Sequence, residues 1–216
     1  MTKVLVLHSV ALLRSALAAL LTKESEGSGE SGEPGESEGA FDVSTCGWRT
    51  ALRQAESLTP DVCVVDLDCP GTATLWEEGR PGGGTGLGSR IGLLVLASAG
   101  RPGALRKAFE ARALGYVDKD GSPRRLVRAI RKVAAGERFV DESLAFGFLE
   151  ASRMPLTARE LSVLARAAEG ESIAEIARGL HLSNGTVRNY MASATRKVGA
   201  RNRIDAIRIS QGAGWV

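Results

Sequence analysis

The chain has 216 residues, 44% of them hydrophobic and 25% charged, with a formal net charge of +3. That composition belongs to globular proteins and excludes wholly disordered or fibrous classes, while the length suits one or two domains. Three cysteines without a CxxC pair argue against a disulfide scaffold or a structural zinc site and fit a reducing cytoplasm. The N-terminal stretch MTKVLVLHSVALLRSALAALL imitates a signal peptide, but His8 and Arg14 interrupt it. No apolar run reaches the roughly 18 residues of a membrane span, so a cytoplasmic protein without membrane contact is expected.

The elements follow in chain order. Lys3–Leu7 reads as a strand buried on both faces, and Ala11–Thr22 as a helix. Residues 23–39, KESEGSGESGEPGESEG, hold six Glu, five Gly and four Ser with no apolar side chain. They are expected to form a disordered loop, closing by residue 40, because they bury too little surface to offset ordering entropy. A strand at Phe41–Thr45 and a helix at Trp48–Ser57 come next, then a strand at Val62–Asp66 and a short helix at Ala73–Glu78. RPGGGTGLGSR is a loop; it lacks the GK[ST] ending of a phosphate loop, so nucleotide binding is set aside. Leu93–Leu96 is a strand, Gly103–Ala113 a helix, Gly115–Asp118 a fifth strand and Pro123–Ala135 an amphipathic helix begun by Ser122-Pro123.

Strands alternating with helices predict an α/β doubly wound, flavodoxin-like domain with a five-stranded parallel sheet, over residues 1–138. Functional residues in such sheets gather beyond the carboxyl ends of the strands, which brings together His8, Ser9, Asp66, Ala97 and Lys119. Residues 139–153 read as a linker. From 154 to 216 the pattern is helical, predicting an all-α four-helix domain. Thr157…Glu160 and Ser172…Glu175 are capping boxes, Ser183 caps Asn184–Val198 after the turn HLS, and Asn202 caps Arg203–Gln211. His181 in the turn is expected to be a packing residue.

Two short helices joined by a tight turn, the second polar and basic, describe a helix-turn-helix. Residues 154–216 hold nine basic and five acidic side chains, with Arg188, Arg196, Lys197 and Arg201 on or just after the second helix. Val187, Met191, Ala194 and Val198 form its inward side. Arg188, Asn189 and Ala192 are then available to a major groove: Arg188 for guanine, Asn189 for adenine and Ala192 for a thymine methyl. Ser183, Thr186, Arg196, Lys197 and Arg201 are candidate phosphate contacts.

With L-T-x-R-E, E-I-A, L-S-x-x-T-V and K-x-G-x-R in register, this domain resembles the LuxR-type helix-turn-helix of NarL/FixJ response regulators. VRNY, GARNR and the GW ending look most like the DesR-type branch. The resemblance implies a third helix that reads DNA and a last helix that often dimerises. Residues 2–138 are similar to a response-regulator receiver. PDVCVVDLDCPG maps the phosphoacceptor to Asp66, and GYVDKDGSP maps the receiver lysine to Lys119 and the aromatic switch residue to Tyr116.

The departures from that family matter. His8-Ser9 stand where receivers carry an acidic pair for Mg²⁺, and Ala97 stands where they carry Thr or Ser, with Ser98 one residue late. Asp68 is expected to stay out of the crevice on strand parity. A His and a Ser make a poor hard-cation site. The expectation is therefore a pseudo-receiver, controlled without Mg²⁺-dependent phosphorylation by a small-molecule or protein effector or by dimerisation. The alternative is a conventional two-component regulator phosphorylated on Asp66 by a histidine kinase. No cofactor, metal or enzymatic activity is expected. Double-stranded DNA with a pseudo-palindromic operator and a second copy of the chain are the expected partners. A protein-interaction module without DNA is a third reading. Gly103–Ala113 with Pro123–Ala135, or Arg203–Gln211, are the two candidate dimer surfaces.

Overall fold

The computed structural model describes residues 1–26, 40–69, 71–72 and 91–216. The expected helix Ala73–Glu78, the loop at 80–90 and most of the acidic loop lie outside the described residues. The chain divides into two compact units, Met1–Ala99 with Lys107–Ala145, and Gly100–Arg106 with Phe146–Val216. Among the described residues no helix is long and apolar enough to cross a membrane.

The N-terminal unit is built on a parallel sheet of β1 (Thr2–Leu7), β2 (Phe41–Cys46), β3 (Val62–Asp66), β4 (Gly92–Ala97), β5 (Gly115–Asp118) and β6 (Phe139–Val140), in the order β2-β1-β3-β4-β5-β6. The three central strands are near-continuous Val, Leu and Cys and are buried along almost their whole length. That is what a parallel strand covered on both faces requires. Val4, Val6, Val62, Val64, Leu94 and Leu96 share one core with Leu21 of α1 (Ala11–Glu26) and with Leu126, Ile130 and Val133 of α4 (Pro123–Ala134). Gly92 permits the approach of α4: a Cβ there would lie 2.5 Å from Val133 Cγ1. Between these helices in sequence lie α2 (Ala51–Leu58), preceded by a 3₁₀ turn at Trp48–Thr50, and α3 (Pro102–Glu110). Ser122 sits at the N-cap of α4 with extended backbone, although its side chain makes no capping hydrogen bond.

Three expectations need correction. The sheet has six strands rather than five. β6 lies inside the stretch read as a linker over 139–153, as does the short helix α5 (Ala145–Ala151). Two residues show no periodicity, so β6 is defined only by its ladder with Gly115 and Tyr116. Helix α1 runs on to Glu26 instead of ending at Thr22, which takes residues 23–26 out of the expected loop. No helix breaker precedes Gly27, and Lys and Glu are good helix formers. Ser25 is buried, donates its hydroxyl to the Thr22 carbonyl and accepts the Phe41 N–H at 3.5 Å.

In the C-terminal unit, α6 (Ala158–Ala168), α7 (Ile173–Leu180), α8 (Asn184–Lys197) and α9 (Arg203–Gly212) form a helical cluster. Thr157–Glu160 and Ser172–Glu175 close capping boxes in both directions. Val163, Ile176 and Val187 pack in one buried cluster, and Leu164, Ala194 and Ala206 in another. His181 is not the packing residue that was expected. It is exposed, with φ +55°, and ends α7 in the left-handed conformation usually given to Gly or Asn.

Candidate functional site

Helices α7 and α8 are joined by His181-Leu182-Ser183, and the Leu182 N–H closes the end of α7 on the Ala177 carbonyl at 2.8 Å. Ser183 accepts the Thr186 N–H at 3.1 Å, and the two hydroxyls lie 2.9 Å apart. The start of α8 is thus a capped N-terminus whose hydroxyls are already engaged with each other. Val187 and Ala194 are buried, and Met191 packs beside them. Arg188, Asn189, Ala192 and Arg196 are exposed. Positions 188, 192 and 196 recur every fourth residue, so their side chains stack along one stripe of the helix. Arg188, Arg196 and Arg203 border a groove of about 530 Å³ over Ile173, Met191, Ala192 and Thr195. Arg203 is fixed there by donating to the Glu171 carbonyl at 2.9 Å.

Lys197, a candidate phosphate contact, is engaged within the domain. Its ammonium lies 2.8 Å from Oε2 of Glu160, a carboxylate with only 4% exposure. Glu160 also accepts from the Ser193 hydroxyl at 2.6 Å and the Thr157 N–H at 2.7 Å. Burial alone would raise its pKa; the bonds from Lys197, Ser193 and Thr157 outweigh it and pull the value down to about 2. Lys197 therefore ties α8 to the start of α6. Arg201 pairs with Asp205 at 3.2 Å, but its side chain remains 84% exposed. Asp205 itself is held down to about 2 by the Arg201 N–H, then by the Arg208 and Arg201 side chains.

The second cluster lies at the carboxyl ends of β1, β3, β4 and β5. His8 is 5% exposed; its Nδ1 accepts the Val10 N–H at 3.0 Å, which directs Nε2 toward Asp66 Oδ2, 3.7 Å away. Ser9 turns to Cys69, with its N–H and its hydroxyl each 3.1 Å from that sulfur. Asp66 Oδ1 receives the Lys119 ammonium at 2.6 Å and the Asp68 N–H at 2.8 Å. Ala97 is buried and has no hydroxyl to offer. Tyr116 is buried, with its pKa pushed up to about 12 chiefly by desolvation.

Asp68 overturns the parity argument. β3 ends at Asp66, and a turn begins there, with the Cys69 N–H on the Asp66 carbonyl at 3.2 Å. Pleat alternation no longer applies, and the Asp68 carboxylate contacts Lys119 directly. Ser98, set aside as one residue late, donates to the same carboxylate at 3.3 Å. Burial acts to lower the pKa of Lys119, but hydrogen bonds and charge from Asp66 and Asp68 win and raise it. Trp48, also unforeseen, donates its indole N–H to Cys69 at 3.2 Å. Gly71, at φ +103°, passes so close that a Cβ would lie 2.5 Å from the indole.

The donors facing one another here are an imidazole and two carboxylates that share one ammonium. His8 Nδ1 is taken by a backbone N–H, and Asp66 and Asp68 are both bound to an ammonium. Among the described residues no three His, Cys, Asp or Glu side chains converge as a metal set.

Comparison with known proteins bears on both sites. The family described as bacterial regulatory proteins, luxR family, matches residues 154–210. Response regulator RamR of Streptomyces coelicolor is 49% identical over 219 aligned residues, covering 100% of this chain and 98% of RamR. Transcriptional regulatory protein DesR of Bacillus subtilis is 38% identical, covering 72% of this chain and 75% of DesR. Among solved structures, RcsB of Salmonella enterica serovar Typhimurium, bound to promoter P1flhDC, matches with a TM-score of 0.58 at 21% identity, covering 98% of each chain. That likeness concerns the fold.

Proposed function

The chain belongs to the response regulators with a LuxR-type helix-turn-helix and is a transcription factor of that type, and from this premise we propose that α8 reads an operator while the receiver works without Mg²⁺-dependent phosphotransfer. The observation that carries the second half is the state of Asp66. Its Oδ2 faces His8, where an acidic metal ligand would be needed. Phosphoryl transfer to a carboxylate needs charge compensation that a His-Ser pair does not supply. Control then falls to a small-molecule or protein effector, or to dimerisation, in a cytoplasmic protein that carries out no catalysis. Incubation with Mg²⁺ and acetyl phosphate, followed by intact-mass measurement, is expected to leave the wild type unmodified. A stoichiometric phosphoryl adduct on Asp66 would overturn the reading in favour of a conventional regulator served by a histidine kinase, the alternative that the retained Asp66–Lys119 pair favours.

For the DNA interface, Arg188 on the exposed stripe of α8 and the exposed Asn189 beside it are the base readers, Ala192 the apolar contact, and Arg196 with Arg201 the phosphate contacts. Arg203 joins them from the groove edge. Ser183 and Thr186 are placed at the helix N-terminus, where backbone N–H groups favour a phosphate. Arg188→Ala is expected to weaken specific operator binding by about 1–3 kcal/mol. A gel shift over several salt concentrations reads this; unchanged specificity would remove α8 as the reader. A two-fold operator implies a homodimer. Each candidate dimer surface carries an exposed apolar side chain, Ile204 on α9 and Phe109 on α3.

A further inference from the structure

We propose that Lys119 and Ser98 form an anion cradle beside Asp66, and that Asp68 is its built-in occupant, excluding external oxyanions of the phosphate class. The proposal rests on the reading that the receiver lacks Mg²⁺-dependent phosphotransfer, and supplies a second physical reason for it. Lys119 and Ser98 offer an ammonium and a hydroxyl to one point, Oδ2 of Asp68. Ammonium and hydroxyl donors converging on one oxygen suit a carboxylate or phosphate oxygen equally.

The occupant is tethered. The Asp68 N–H is bound to Asp66 Oδ1 at 2.8 Å. The following turn is held by the Thr72 hydroxyl on the carbonyls of Asp66 and Cys69, at 2.8 and 2.7 Å, and by the Trp48 indole on Cys69. A carboxylate fixed this way competes as an intramolecular ligand at high effective concentration. An incoming dianion has to displace it from Lys119 and then meets the carboxylates of both Asp66 and Asp68. Among the described residues, His8 presents Nε2 to Asp66 rather than to the cradle.

Calorimetric titration of the full-length protein with inorganic phosphate tests this, using wild type, Asp68→Asn, Asp68→Ala and the Asp68→Ala/Lys119→Gln double variant. Removing the tethered charge is expected to create a phosphate-binding component about tenfold or more tighter than any in the wild type. The double variant is expected to lose that component, which separates it from phosphate bound by the arginines of α8. The isosteric Asp68→Asn carries the test should Asp68→Ala fail to fold. Equal phosphate binding in wild type and both single variants, or a gained component that survives Lys119→Gln, would overturn the proposal. An inert wild type in the acetyl phosphate assay together with no gain on removing Asp68 leaves the metal-free reading standing and rejects the cradle. A phosphorylated wild type overturns both, because a carboxylate that excluded phosphate-class anions would block that transfer.

Discussion

Lys197 and Arg201 carry the same charge four residues apart, yet the structure separates their roles. Lys197 serves a buried carboxylate, whereas Arg201 stays almost wholly in solvent. Removing Lys197 takes the charged partner from a buried carboxylate and leaves it the bonds from Ser193 and Thr157, at a cost of about 1–3 kcal/mol; an exposed pair contributes about 0–1 kcal/mol. Lys197→Ala is therefore expected to lower the melting temperature of the C-terminal unit clearly, and Arg201→Ala to leave it nearly unchanged. Thermal denaturation followed by circular dichroism checks both. Acid adds a second signature. A carboxylate whose pKa falls on folding stabilises the native state above its unfolded value and loses that contribution as pH drops through the folded one. For Glu160 the window runs from about pH 4.3 down to about 2. Chemical denaturation across that range is expected to show wild type losing stability that Glu160→Gln never had.

At the scale of elements, the helix ends were the most legible feature. Thr157–Glu160 and Ser172–Glu175 show their spacing in the primary sequence because a capping box spans three residues and needs no distant partner. Ser172→Ala is expected to cost about 0.5–2 kcal/mol, measured by urea denaturation. The end of α7 was less legible. His181 stands in a left-handed position where glycine carries no Cβ penalty, so its residue type did not announce the cap. His181→Gly is expected to be neutral or stabilising by up to about 1 kcal/mol, and the same denaturation curves would show it. The two-residue β6 and the last turn of α1 escaped for a related reason. β6 is held by pairing across the chain, and the last turn of α1 adds the docking of Ser25 on Phe41 to its local helix formers.

Over the whole molecule, charge is unevenly shared. Residues 23–39 carry one Lys and six Glu, so the rest of the chain is clearly basic although the total is +3. Operator binding is therefore expected to weaken steeply with salt, by about 0.9 in the logarithmic slope for each phosphate contact. Arg196→Gln should reduce that slope by about 1. Lys197→Gln should leave it unchanged in the folded protein, because its charge is spent on Glu160. Salt-series gel shifts on the two variants distinguish them.

What the sequence by itself determined was whatever depends on near neighbours in the chain. Runs of Val and Leu alternating with helical periods specified a parallel α/β unit, and capping boxes with an amphipathic basic helix specified the helix-turn-helix. The strand ends specified that His8, Asp66 and Lys119 gather at the sheet's carboxyl edge, but not that Asp68 and Ser98 join them. Only the tertiary structure decided how the side chains there are used. Asp68 turns toward Lys119 because a tight turn ends the strand's alternation, Ser98 reaches the same carboxylate from just beyond β4, and the Lys197 ammonium meets the buried Glu160. Each of these rests on a contact spanning 30 or more residues of chain. Electrostatic attraction depends on distance in space, and local pattern carries no record of that distance.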